Sequence, residues 1–191
     1  MRIEIISGSA RLASQTKRVA LHLRDELQVY PEVSVGLIDL SFYNLPPVQD
    51  VFTSSEEAPT ELREIVSRMF DADGFILVSP EYNGSYSPAM KNFLDHFPKQ
   101  ARKAFGIVAA SPGSLGGIRA AVQLQNLTFG LMGIGSPQML IVPEVDKKFR
   151  SDGLLVDQSF KGLVKAFIDQ FLWLSHAVAY ANTIVVQKKC A

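Results

Sequence analysis

Three stretches of the chain carry the residue types that hold a ligand. The first is Ser7-Gly8-Ser9-Ala10-Arg11-Leu12-Ala13-Ser14-Gln15-Thr16, which follows the β-branched run Ile3-Glu4-Ile5-Ile6. It opens a segment of helical spacing, and backbone N–H groups at a helix start form an anion site together with the helix dipole. Hydroxyls of Ser9, Ser14 and Thr16 can donate to phosphate oxygens, and Arg11 can add a charge-assisted bond. G-x-G-x-x-G is absent, and so is the lysine of an NTPase phosphate loop. The loop therefore suits a terminal monophosphate better than a pyrophosphate. The plainer alternative is that Ser14 only caps the helix and Arg11 is solvated.

The second stretch is Ser79-Pro80-Glu81-Tyr82-Asn83-Gly84-Ser85-Tyr86-Ser87-Pro88. Pro80 and Pro88 fix φ, Gly84 permits a tight turn, and the tyrosine rings offer stacking surfaces. Tyr82 and Tyr86 suit a ligand wall or a subunit seam equally well. Glu81 reads as a structural or exposed group rather than a general base. The third stretch is Ser111-Pro112-Gly113-Ser114-Leu115-Gly116-Gly117, whose glycines let a ligand approach the backbone. His22, His96 and His176 fall on helical segments away from these loops, where a structural role is expected. No nucleophile–base pair and no metal site is expected.

These loops need elements to position them. Strands are expected at Ile3–Ser7, Ser34–Asp39, Gly74–Val78, Ala104–Ala110 and Met139–Pro143. Helices are expected from Thr16 to Val29, Pro59 to about Phe70, Ser87 or Pro88 onward, Gly117 to about Met132, and Gln158 to Ala181. Their inward stripes include Leu62, Ile65, Val66 and Met69, then Met90, Phe93, Leu94 and Phe97. The last helix is expected to bury Phe160, Leu163, Val164, Phe167, Phe171, Leu174 and Val178. The fourth helix has Ile118, Val122 and Phe129 on one side and Leu124, Leu127 and Leu131 on another. That is more apolar surface than one sheet face needs, so a subunit contact is expected there. The run Lys147-Lys148-Phe149-Arg150 reads as a solvated loop, and the tail with Lys188, Lys189 and Cys190 as disordered or edge structure.

Strand–helix alternation implies an α/β fold, a parallel sheet covered on both faces. The expectation is a three-layer sandwich with a five-stranded sheet of order 2-1-3-4-5, a single domain over 1–191. In that order strands one, three and four are neighbours, and their loops converge at the carboxyl edge beside the switch point. One loop grips phosphate, the second offers amides and rings, and the third leaves room. A monophosphate joined to a planar heterocycle fits, and FMN is such a molecule.

Composition agrees by exclusion. Nineteen acidic and nineteen basic residues balance in 191, so no basic stripe points to nucleic acid or a membrane surface. The one cysteine, Cys190, offers neither a disulfide framework nor a zinc site. No apolar run reaches spanning length, and a reducing cytoplasm is the expected setting.

The motifs Gly8-Ser9-x-Arg11-x-x-Ser14, Pro80-Glu81-Tyr82-Asn83-Gly84-Ser85, Pro88-Ala89-Met90-Lys91-Asn92-Phe93-Leu94-Asp95 and Ser111-Pro112-Gly113-x-x-Gly116-Gly117 together resemble the NAD(P)H-dependent FMN reductase family, with its flavodoxin-like quinone, azo-dye and chromate reductases. The resemblance runs from the first strand to about Val142. It implies a flavodoxin-like fold, non-covalent FMN, and a homodimer or homotetramer. It implies that Ser9, Arg11, Ser14 and Thr16 hold the FMN phosphate with the Gln15 amide. Pro80, Glu81, Tyr82, Asn83 and Gly84 would frame the ring, and Ser111, Gly113, Ser114, Gly116 and Gly117 would border its other side. The Leu45-Pro46-Pro47-Val48 segment resembles a family stretch on the substrate side. Lys91 and Asp95 stand four apart and can pair within their helix; the family suggests a cross-subunit bridge.

The implied activity is a ping-pong transfer of hydride from NADPH or NADH, through bound FMN, to a small-molecule acceptor: a quinone, azo compound, flavin or metal oxyanion. The competing reading is a flavodoxin-like electron-transfer protein without its own NAD(P)H oxidation. Such carriers tend to be strongly acidic to steer onto partners, and this chain is neutral.

Overall fold

A computed structural model describes the backbone of residues 1–189 and the side chains of residues 1–184. Its centre is a parallel sheet of β1 (Arg2–Ser7), β2 (Ser34–Asp39), β3 (Gly74–Ser79), β4 (Ala104–Ala110), β5 (Ile134–Gly135) and β6 (Leu140–Val142). The order is β2-β1-β3-β4-β5, with β6 also pairing β4. The expected 2-1-3-4-5 order stands, with one correction: the fifth position is shared by two short strands. Ile134 and Gly135 pair with Ala104 and Phe105, and Leu140 to Val142 pair with Val108 to Ala110. Between them the Ser136 amide still donates to Phe105 O at 2.7 Å, after which the ladder is interrupted until Leu140.

Side chains along each strand alternate between two cores. Ile3, Ile5, Ile76, Val78 and Val108 face α1 (Thr16–Leu27) and α6 (Lys161–Lys189). Ile6, Phe75, Leu77, Phe105 and Ile107 face α2 (Arg63–Asp71), α3 (Pro88–Asp95) and α4 (Ile118–Gly130). The stripes expected for the second and third helices, Leu62 to Met69 and Met90 to Phe97, are buried. Ser87 caps α3 by accepting from the Met90 amide at 3.1 Å, with Pro88 at the first helical position.

Four polar residues of the strands are buried: Glu4, Ser7, Asp39 and Ser79. Glu4 on β1 is buried and takes a bidentate bond from Arg68 of α2. Its strand neighbour is Gly36, where a Cβ would stand 2.3 Å from the Glu4 carboxylate. Glycine is what makes room for the pair.

Four further expectations change. α1 ends at Leu27 rather than Val29. The last helix begins as a 3-10 turn at Gln158–Phe160, capped by Asp157, and then runs as α6 to Lys189. Lys188 and Lys189 are therefore helical rather than disordered, while the expectation for Cys190 lies outside the described residues. Leu163 is not part of the buried stripe; it is 51% exposed. The Lys147–Arg150 run is not simply a solvated loop: Lys147 and Lys148 belong to α5 (Val145–Lys148), and Phe149 is fully buried against Phe160 and His22. Among the described residues, no helix is long and apolar enough to cross a membrane.

Candidate functional site

The carboxyl ends of β1, β3 and β4 lie side by side, and the loops leaving them are tied together. The Gly8 amide donates to Val78 O at 2.8 Å. Ser87 Oγ donates to Gly8 O while accepting the Met90 amide. Ser79 Oγ accepts from the Ser87 amide at 3.0 Å and donates to Pro80 O at 2.9 Å. Beyond Pro80, Tyr82 and Ser85 exchange backbone bonds of 2.9 and 3.1 Å. The turn between them places Asn83 at φ 51° and Gly84 at φ 81°, the left-handed pair that asparagine and glycine supply most readily.

A cleft of about 280 Å³ opens between the loops. Ser9, Arg11, Ala13, Ser14, Gln15 and Thr16 line one side, Pro80, Glu81 and Tyr82 the middle, and Ala110, Ser111 and Pro112 the other. Nine expected residues thus meet: Ser9, Arg11, Ser14, Gln15, Thr16, Pro80, Glu81, Tyr82 and Ser111. Asn83 and Gly84 form the turn and do not line the cleft; Gly84 borders a separate hollow with Arg119 and Val122. Gly113, Ser114, Gly116 and Gly117 are also outside the lining and shape the third loop from behind. The Gly113 amide donates to Ser111 Oγ at 3.0 Å, and Gly113 O accepts the Gly116 amide at 3.1 Å. Gly116, at φ +61°, lies so close to β6 that a Cβ would stand 2.7 Å from Pro143 N.

One end of the cleft is the start of α1. The Lys17 amide finds Ser14 Oγ at 3.2 Å, so Ser14 does cap the helix. Its hydroxyl proton remains free to donate outward. The amides of Gln15 and Thr16 have no acceptor among the described residues, and Gln15 Oε1 is buried with no partner. Arg11 is not merely solvated: its guanidinium lies 4.5 Å from the centroid of the Tyr82 ring. Ser9 Oγ stands 3.5 Å from the Tyr82 hydroxyl.

The carboxylate of Glu81 would repel an anion were it alone. Arg119, in the first turn of α4, neutralises it with its backbone amide and its guanidinium, each at 3.1 Å. Sequence reasoning missed Arg119, along with the linings from Ala13, Ala110 and Pro112. The signal available for Arg119 was its place just after the Gly116-Gly117 pair.

The remaining candidates separate by environment. Tyr82 lines the cleft, whereas Tyr86 packs against the α2–α4 core, where burial pushes its phenol pKa up. His96 is buried with Nδ1 2.7 Å from Asn92 O, and the His22 ring packs tilted against Phe149, centroids 5.2 Å apart. Lys91 and Asp95 form an ion pair within α3. Asn92 Nδ2 donates to the carbonyls of Leu45 and Pro46, which fixes that segment on α3.

The family model described as NADPH-dependent FMN reductase matches residues 1–145, from β1 through the third loop to the start of α5. The chain belongs to that family. This FMN reductase-family chain is 30% identical over 177 residues to an FMN-dependent NADPH-azoreductase of Staphylococcus haemolyticus, covering 88% of this chain and 92% of the relative. The protein of the same description from Staphylococcus saprophyticus is 29% identical with the same coverage. Among solved structures, a flavoenzyme NAD(P)H:(acceptor) oxidoreductase from Paracoccus denitrificans superposes with a TM-score of 0.77 at 21% identity, covering 92% of this chain and 97% of the other. A flavodoxin from Pseudomonas aeruginosa superposes with a TM-score of 0.55 at 16% identity, over 90% and 99% of the two chains. The fold of the family member described here is flavodoxin-like.

Proposed function

We propose that the protein is an FMN-dependent oxidoreductase that takes electrons from NADPH or NADH and delivers them to a small-molecule acceptor such as a quinone, azo compound, flavin or metal oxyanion. The observation that carries this reading is the cleft where the loops after β1, β3 and β4 meet at the start of α1. Its donor set fits a flavin monophosphate. Unpartnered amides at Gln15 and Thr16, hydroxyls at Ser9, Ser14 and Thr16, and the Arg11 cation gather at one end. The Tyr82 ring and the Pro80–Glu81 backbone gather at the other. The family match and the names of the azoreductase relatives support the same cofactor and donor.

The chemistry FMN supplies is reversible acceptance of two electrons, which the protein must position and shield. Arg11 and the first-turn amides hold the phosphate, a dianion that the dipole of α1 favours. The Gln15 backbone amide would donate to the same phosphate. Pro80 to Tyr82 hold the ring plane by backbone contact, with Asn83 and Gly84 setting the turn that aims them. The Arg119–Glu81 pair keeps that segment electrically neutral beside the phosphate. Ser111 and its loop close the opposite side, with Gly113, Ser114, Gly116 and Gly117 setting its path.

We infer one domain working as a homodimer or homotetramer. Phe129, 71% exposed, and Met132, 63% exposed, support a subunit contact at the end of α4. The single cysteine and the absence of a disulfide framework support a reducing, cytoplasmic setting.

The decisive experiment titrates purified protein with FMN, followed by NADPH and NADH without oxygen and then a quinone or azo dye. Bound FMN with NAD(P)H oxidation is expected. No binding at micromolar FMN would sink the proposal, and bound FMN without NAD(P)H oxidation would favour a carrier.

A further inference from the structure

The first turn of α1 is charged against the helix's own preference. A helix start favours acidic side chains and disfavours cations, because its free amides already carry positive charge. Here no acidic residue occupies that turn, and Lys17 and Arg18 stand in it side by side. Consecutive helix positions point about 100° apart, and each cation reaches a different neighbour. Arg18 Nη1 donates to Phe149 O, just past α5, at 2.8 Å. Lys17 Nζ lies 2.8 Å from Asp39 Oδ2, at the carboxyl end of β2. The turn is thus held from two directions. The Lys17 amide is also the one that Ser14 Oγ caps, at 3.2 Å. The Gln15 and Thr16 amides immediately precede it and have no acceptor among the described residues.

Asp39 is 4% exposed, and its two oxygens face different partners. Oδ1 accepts the Ser41 amide at 3.1 Å and the Ser41 hydroxyl at 2.9 Å, which caps the 3-10 turn Leu40–Phe42. Oδ2 meets the Lys17 ammonium, and no other group among the described residues bonds it. Ser7, its register neighbour on β1, is fully buried and leaves its hydroxyl unpartnered. The capped turn sets the Phe42 ring over the ammonium, with Nζ 4.7 Å from the centroid. Phe42 is 74% exposed, and this contact gives a large apolar ring in water a reason to be there. Ring and burial keep water off the ion pair, and the lower dielectric strengthens it. One carboxylate therefore joins the end of β2, the turn after it and the first turn of α1.

Resting on the reading of the cleft as a phosphate site, we propose that Asp39 is a positioning residue for that site. Through Lys17 it sets the first turn of α1 so that the Gln15 and Thr16 amides face the phosphate. Neither Lys17 nor Asp39 lines the cleft, so the effect passes through the placement of the helix and not through contact with the ligand.

The test removes the pair without changing net charge. Asp39→Asn keeps a side-chain oxygen for Ser41, and Lys17→Met keeps an unbranched apolar stem under Phe42. Together they leave no uncompensated buried charge, which either change alone risks. The double variant is expected to bind FMN about tenfold more weakly, the scale of one lost hydrogen bond to a charged group, and riboflavin within about twofold of wild type. Lys17→Arg keeps the cation and its donors, and is expected to bind FMN within about threefold of wild type. A double variant that is folded by circular dichroism and binds FMN as wild type does overturns the proposal. So does an equal loss of FMN and riboflavin affinity, which marks general damage. A Lys17→Arg protein as weak as the double variant also overturns it, because the lysine ammonium itself is then the phosphate ligand. If the double variant unfolds, Phe42→Ala decides, since it uncovers the ion pair from an exposed position. A loss of about two- to fivefold in FMN affinity, with riboflavin unchanged, is expected of it, and no selective loss rejects the proposal. A wild type that binds no FMN rejects the functional reading and this inference with it, and shows itself before any variant is made.

Discussion

Glu81 receives two bonds from one residue: the backbone amide and the guanidinium of Arg119, 38 positions away, both donate to its carboxylate at 3.1 Å. The pair joins the loop after β3 to the first turn of α4 across one edge of the cleft. It also cancels a negative charge in the lining that otherwise opposes phosphate. Arg119→Ala leaves that charge with only the backbone amide. FMN affinity is expected to fall by about tenfold, from a loss of roughly 1–2 kcal/mol for a charged hydrogen bond. Flavin fluorescence on titration measures it, and Arg119→Lys is expected to recover part of the loss.

Replacing Arg11 tests whether phosphate binding and ring binding are separable. Arg11→Ala is expected to weaken FMN by about 10- to 100-fold, the loss of a charge-assisted bond worth roughly 1.5–3 kcal/mol. Riboflavin, which has no phosphate, is expected to bind wild type and variant alike. Equal losses for both ligands would place Arg11 at the ring through its contact with Tyr82.

Ser87 is expected to matter for stability more than its size suggests. Ser87→Ala removes the cap of α3 and the bond to Gly8 O together. A cap costs about 1–2 kcal/mol and a lost buried bond about another 1. A fall in Tm of roughly 4–10 °C in thermal unfolding follows for a chain of this size.

His22 gives the fold an acid sensitivity. Burial beside Phe149 lowers its pKa from the ordinary 6.5, against the opposing pull of Glu26 and Asp25. The folded protein therefore resists the proton that the unfolded chain accepts. Stability is expected to be complete above pH 6.5 and to decline as the pH falls below it, towards the lowered folded value. His22→Phe is expected to flatten that part of the profile in urea unfolding measured at pH 5 and pH 7.5.

The strand order and most of the cleft were legible because both are local. A β-branched run, a glycine and a capped helix announce a βα unit, and alternation announces a parallel sheet. Departures arose where distant contacts overrule local pattern. Phe149 stands among charges, and its neighbours suggest a solvated loop; only packing on Phe160 and His22 shows it as core. Leu163 has the right spacing for the buried stripe, yet is half exposed. Arg119 looks like any helix-surface cation until Glu81 is placed beside it.

The double bond made by the Ser87 hydroxyl has a consequence for how such a site can diverge. Gly8 begins the loop at one end of the cleft, and Met90 lies in the first turn of the helix behind the other. Because one side chain spans them, the distance between phosphate end and ring end is a property of the scaffold, not of either loop. Loop tips such as Leu12, 96% exposed, can then change freely. New acceptors become reachable by altering the walls above a cofactor whose length is already measured out underneath.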